Sequence, residues 1–343
     1  MFKLKFKEKV LILGATIAVL AVTCALGILF SAASVQRREA STPVFPQLNK
    51  AQIGLIELSD KTGRVKLKKE GAGWSVQIGD LFLPASGSRV DGLLAQLASL
   101  KRSRIVTNNP EKWKDFQVSE DTAKRVKLAD AAGKAAADLL VGKESLSGRE
   151  NYLRLQGANE VLQSDRSLGT YLNLESKFWS QLKPFPSDLN SQDLNRISLK
   201  GRLKLKEETR ELNYTLALGG QKEKNAWKLE GDPGAELAND KVDGLASSLV
   251  LFEGSEYAVG VKEEAAGLSP AQAEVFFSTV KDKSFRLLVG AALPGGEQYY
   301  VKLEGAPFIY LASEWRVKQV LPALAELKAK KEAAKSPQGT KSP

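Results

Sequence analysis

Histidine is absent from this chain of 343 residues, and cysteine and methionine occur once each. Without imidazole, His-assisted serine or cysteine catalysis and His-ligated metal sites are excluded. A single cysteine, Cys24, excludes an intramolecular disulfide, a thiolate zinc cluster and a CxxC redox pair. No Walker loop, dinucleotide-binding glycine fingerprint or calcium loop occurs either, and no cofactor is expected. Long apolar runs are scarce: beyond residue 35 none approaches the roughly 18 residues a membrane crossing needs. What is present is ordinary for a globular chain, with 43% hydrophobic and 26% charged residues. At roughly 100–200 residues per domain the length allows two or three domains.

The one long apolar run opens the chain. Lys3, Lys5, Lys7 and Lys9 precede residues 10–35, which carry no charge. A helix rises about 1.5 Å per residue and some 20 residues cross a ~30 Å hydrocarbon layer. Residues 10–35 are therefore expected to form a single transmembrane helix, after a cytoplasmic basic stub at 1–9 and before a linker at 36–50. Lysines resist translocation, so the bulk of the chain is expected outside the cytoplasm, periplasmic, on a bacterial inner membrane. A cleaved signal peptide has an apolar region of only about 7–15 residues, which favours a retained anchor despite Ser31-Ala32-Ala33. Acylation at Cys24 is disfavoured because the apolar run continues past it.

The formal net charge of +10 is unevenly spread. Residues 1–40 contribute +4, residues 326–343 contribute +3, and the whole body between them only +3. A nucleic-acid module concentrates basic residues on a folded face, so no nucleic-acid partner is expected. The Lys-, Ala-, Ser- and Pro-rich stretch 328–343 cannot bury a core and is expected to be a disordered basic tail.

The body repeats itself. Trp74, Val90-Asp91-Gly92-Leu93, Leu139-Leu140-Val141-Gly142 and Tyr152 to Gly157 recur as Trp227, Val242-Asp243-Gly244-Leu245, Leu287-Leu288-Val289-Gly290 and Tyr300 to Gly305. Trp to Asp is 17 residues in one copy and 16 in the other, Asp to the LLVG glycine 51 and 47, and that glycine to the next 15 in both. The expected fold class is α+β: two tandem lobes, 51–183 and 193–327, each a mostly antiparallel sheet with packed helices, joined by a Pro-rich linker at 184–192. Strands are expected at 53–58, 64–69, 74–78, 81–83, 102–107, 125–128, 137–141, 152–155 and 160–163 by alternation. Val90, Leu93, Leu94, Leu97 and Leu100 recur at helical spacing, predicting a helix over 89–100 with Ser88 as its cap. The second copy predicts a helix at 241–251, strands at 256–261, 275–279, 285–289, 299–303 and 308–311, and a closing helix at 315–327 kinked by Pro322.

The repeated residues have bland and sharp readings. Trp74 and Trp227 invite ring stacking on a ligand or partner surface, or anchor the sheet to its helix. Asp91 and Asp243, read into the first helical turn, would complement the helix dipole. Tyr152 and Tyr300 read as sheet residues. Ser278 and Lys281 match S-x-x-K and Lys61-Thr62-Gly63 matches K-T-G, elements of penicillin-recognising enzymes; their order is reversed and the S-x-N element between them is missing. Glu207-Glu208 and Glu263-Glu264 are adjacent acids, whose side chains diverge on a strand or helix. No catalytic, cofactor or metal residue is assigned.

An N-terminal anchor, W-x-[VL], V-D-G-L opening a helix, an LLVG strand and a Y-x-[RK]-L-x-G hairpin together resemble an uncharacterised bacterial family known only as a domain of unknown function. The family pattern often carries Phe-Gly-Leu and a following proline; the copies here read Phe116-Gln117-Val118 and Ala266-Gly267-Leu268-Ser269-Pro270. Members commonly accompany the auxiliary subunit of gliding-type ABC transporters. The resemblance implies a non-enzymatic, membrane-anchored accessory protein with an ABC permease or its auxiliary subunit as partner. The alternatives are a cell-envelope glycan- or lipid-binding module, motivated by the paired tryptophans together with the basic tail, and a Ser/Lys hydrolase.

Overall fold

A computed structural model describes residues 6–29, 42–219, 226–232 and 234–329; within the first stretch, side chains are described for 14–26. It divides into two compact units, Met1–Ser180 and Gln181–Pro343.

In the first unit, tight turns between alternating runs build a meander: β1 (Ile53–Ser59), β2 (Arg64–Glu70), β3 (Gly73–Ile78) and β4 (Leu81–Pro84). Helix α2 (Gly87–Ala98) follows, then β5 (Arg102–Thr107) and a second meander of β6 (Lys124–Asp130), β7 (Ala135–Glu144), β8 (Asn151–Leu155) and β9 (Val161–Ser164). The sheet order is β4-β3-β2-β1-β6-β7-β8-β9-β5, antiparallel between all neighbours. Helix α2 thus links one edge of the sheet to the other. Its buried stripe of Val90, Leu93, Leu94 and Leu97 joins the core with Leu67, Leu128 and Leu153. Each such side chain contributes roughly 1.5–3 kcal/mol by leaving water.

The second unit contains β10 (Leu194–Lys204), β11 (Thr209–Leu218), β12 (Trp227–Leu229), α4 (Asn239–Val250), β13 (Glu256–Tyr257), β14 (Ala273–Thr279), β15 (Ser284–Ala292), β16 (Gln298–Leu303) and β17 (Ile309–Ser313). Its order, β12-β11-β10-β14-β15-β16-β17-β13, is that of the first sheet without the edge strand β4. Small devices recur with it. Asn49 and Asn190 each accept, through Oδ1, a backbone N–H two residues on at 3.0 Å, just before β1 and β10. Each unit closes where the residue before its long helix donates to the chain's returning end: Ser86 N–H to Trp179 O at 2.7 Å, after α3 (Ser176–Trp179) begins, and Ala238 N–H to Leu327 O at 2.9 Å.

Several expectations are corrected here. The chain is mostly β rather than α+β, with about 40% of residues in strand against 22% in helix. The physical reason is that one 12-residue helix per unit serves a sheet of eight or nine strands, too little to form a helical layer. Among the described residues, no helix is long and apolar enough to cross a membrane. Helix α1 (Phe6–Leu29) occupies part of the expected 10–35 span. Residues 30–35 of that span and the tail beyond Ala329 lie outside the described residues.

The segments read as linkers carry core residues. Val44 is buried in the first unit and bonds through its N–H to Leu100 O at 2.8 Å. Phe185 is buried in the second, with ring centroids 5.2 Å from Phe277 and 5.7 Å from Phe285. Hairpin β10–β11, the longest pair, is absent from the strand expectations above. The kinked closing helix is two helices, α5 (Glu314–Val320) and α6 (Leu324–Leu327), interrupted around Pro322.

Candidate functional site

The residues singled out by the repeat lie inside the units. Trp74 and Trp227 are 7% and 5% exposed and belong to the two cores, so neither ring is open to stacking. Trp227 donates from Nε1 to Asp243 Oδ1 at 2.9 Å, tying β12 to α4. Asp91 and Asp243 fall in the second turn of their helices, because α2 and α4 begin at Gly87 and Asn239. The acid in a first turn is Asp240 of α4. The N-cap of α2 is Ser86 rather than Ser88, and the two hydroxyls lie 3.1 Å apart.

The candidate catalytic pairs are engaged elsewhere. Ser278 Oγ donates to Asn195 Oδ1 at 2.8 Å, whereas Lys281 Nζ donates to Asp193 Oδ2 at 2.7 Å. The hydrogen bond and charge of Asp193 raise the Lys281 pKa, the opposite of what a lysine base needs. Lys61-Thr62-Gly63 forms the β1–β2 turn, with Asp60 Oδ1 accepting from the Thr62 and Gly63 N–H groups. Glu208 binds Arg210 and Glu263 binds Lys302. Among the described residues, no group of three His, Cys, Asp or Glu converges to hold a metal ion.

The most elaborated local arrangement common to both units joins a loop to its sheet. In the first unit the loop after β5 makes one helical turn. The Gln117 N–H bonds back to Lys114 O at 3.0 Å and the Val118 N–H to Trp113 O at 3.0 Å. In the second, Gly267 bonds back to Glu264 O at 3.1 Å and Leu268 to Glu263 O at 2.9 Å. This is the glycine-type helix stop, which requires a left-handed residue. Gln117 and Gly267 supply it with φ of 56° and 64°. The next contact is a close backbone approach: a Cβ at Gly142 would sit 2.1 Å from Phe116 O, and one at Gly290 would sit 2.1 Å from Ala266 O. The LLVG glycine is therefore a seat for the loop carbonyl, which accepts from Lys143 N–H at 3.2 Å and Ala291 N–H at 2.8 Å in the respective units.

The chemistry under the turn differs. In the second unit the Lys302 ammonium of β16 donates to the Glu263 carboxylate. In the first, Trp113 stands where Glu263 stands and Arg154 of β8 stands where Lys302 stands, with the guanidinium 3.8 Å from the indole centroid. Arg154 donates to Val118 O at 2.9 Å and Ala158 O at 3.2 Å, leaving Nη2 buried without a partner. Burial lowers the Arg154 pKa, opposed in part by Glu120. A salt bridge in one unit is thus a cation–π contact in the other. Single repeated letters pointed to Gly142 and Gly290, but no sequence signal paired position 113 with 154.

A family model described as "Domain of unknown function (DUF4340)" matches residues 79–271, from the turn before β4 to the loop before β14. An "Uncharacterized protein" of Treponema pallidum (strain Nichols) is 20% identical over 141 residues, or 41% of this chain. That stretch is 45% of the relative, so the match spans less than half of its length. No solved structure matches the chain. With more than half of its residues inside the family model, the chain belongs to the DUF4340 family.

Proposed function

We propose that the chain is a non-enzymatic interaction protein of the bacterial cell envelope. In this reading its N-terminal apolar segment holds it at the extracytoplasmic face of the inner membrane, where it serves as an accessory subunit of an ABC-type transport complex. The observation that carries the reading is the exposed apolar surface of α1. Ile17, Val19, Leu20, Val22 and Leu26 are 46–62% exposed. Each gains roughly 1.5–3 kcal/mol when removed from water into lipid or a partner. The two sheet units offer surfaces for recognition, and Ser278 and Lys281 are held by separate partners rather than by each other. The burial of Trp74 and Trp227 removes one of the two motives for the glycan- or lipid-binding alternative, the basic tail being the other.

Two measurements test this. Affinity purification of the full chain from detergent-solubilised membranes is expected to bring down a permease and an ATPase; recovery of this chain alone, in every detergent tried, overturns the complex. Leu146→Cys in a Cys24→Ser background places a thiol on a fully exposed side chain. An impermeant maleimide is expected to label it in intact spheroplasts, and protection until lysis overturns the location.

A further inference from the structure

In the second unit, the end of α4 and the start of α5 face each other across a groove of about 290 Å³, lined by Leu251, Phe252, Trp315, Arg316, Gln319 and Val320 among others. Leu251 is 63% exposed and Trp315 is 64% exposed. The first unit shows what this corner needs for stability alone. There the corresponding helix, α2, ends on Ser99, the same C-cap position that Leu251 occupies on α4. Arg166, just past β9, donates from Nη1 to Gln96 Oε1 and Ser99 Oγ at 3.2 Å, and from Nη2 to Ser99 O at 3.4 Å. Asp165 answers its charge. That corner is polar and closed by its own residues. In the second unit the corner instead opens onto two large apolar side chains, and Arg316 makes no ion pair among the described residues. A leucine in place of serine here leaves most of its apolar surface in water.

We propose that this groove is the docking site for a segment of a partner protein that presents an apolar side chain next to a carboxylate. The apolar side chain lies between Leu251 and Trp315, above Phe252 and Val320, and the carboxylate takes the fork of Arg316. Tryptophan and arginine are the residue types that dominate binding when a partner covers them, and a guanidinium pairs with a carboxylate through two parallel bonds. A cationic segment is repelled by Arg316, and a second copy of the groove offers no carboxylate in return. The proposal rests on reading the chain as an interaction protein, but not on the partner's being a transporter.

The test uses the full chain in its native cells, with Gln319 replaced by the photo-cross-linker p-benzoylphenylalanine and the cross-linked peptide sequenced. The expected product is another protein's peptide with Asp or Glu within two residues of a large apolar residue. Its yield should fall at least fivefold in Leu251→Ser and in Arg316→Glu, with thermal midpoints unchanged. Changing the partner's acid to lysine should restore the product in Arg316→Glu. An adduct with lipid alone or with a second copy, no adduct, or a yield indifferent to both substitutions overturns the groove. If co-purified partners persist in the two variants, only the groove fails; if the unaltered chain purifies alone, the interaction reading itself fails.

Discussion

Two structurally matched residues, Gln117 and Gly267, meet the same backbone demand with different side chains. Both stop a helical turn in the left-handed region, which an L side chain resists by about 1–2 kcal/mol and glycine does not. Gln117→Gly is therefore expected to stabilise the chain by about 1 kcal/mol, partly offset by the greater freedom of glycine when unfolded. Urea titration of the full chain reads this directly, and a destabilisation would mean that the Gln117 side chain does more than fill a turn. Gly290→Ala should act in the opposite sense. Its Cβ would meet Ala266 O at 2.1 Å, backbone against backbone, with no flexible group to yield. A loss of about 2–3 kcal/mol is expected by the same titration, and a change under 0.5 kcal/mol would show that the loop does not depend on this seat. The glycines were legible as repeated letters, but their shared purpose was not, because a carbonyl supplied from more than twenty residues away leaves no local trace in the sequence.

The returning end of the second unit is held by a buried arginine. Arg210 of β11 is 6% exposed and donates to Lys318 O at 3.2 Å, Leu321 O at 2.8 Å, and the carboxylates of Glu208 and Glu326. Those carbonyls belong to the end of α5, where no further helical turn supplies donors. Beside it, the Tyr214 hydroxyl donates to Pro322 O at 2.6 Å, and its burial raises the Tyr214 pKa. Arg210→Ala should cost about 3 kcal/mol by stranding these acceptors, with hydrogen-exchange protection lost first across α5 and α6. A cost below 1 kcal/mol would show that Val317, Val320, Leu321 and Leu327 hold the segment by apolar packing alone. Elements with a clean period were readable in advance: β1, β2, β3 and α2 lie within two residues of expectation. Hairpin β10–β11 was not, because a register shift between Leu194 and Arg196 breaks the alternation and charged residues fill its outer face.

Two cores with no residue in common organise the molecule. Leu128→Ala and Phe277→Ala each remove a fully buried side chain, from the first and second core respectively. Costs of roughly 2–5 kcal/mol are expected. Hydrogen exchange on the full chain should show protection falling within 53–179 for the first substitution and within 194–327 for the second. Protection lost equally across both would show one cooperative block in place of two.

Composition and spacing by themselves determined the absence of imidazole and disulfide chemistry, the paired anchors of the body and the positions of its best-patterned strands, since these depend on residue type and local period. Only tertiary structure decided that the tryptophans are core, that Val44 and Phe185 of the expected linkers are core as well, that Trp113 and Glu263 shield matching cations, and that sheet outweighs helix. Those outcomes rest on contacts between residues distant in the chain, whose energies come from burial and close approach rather than from any local run of letters.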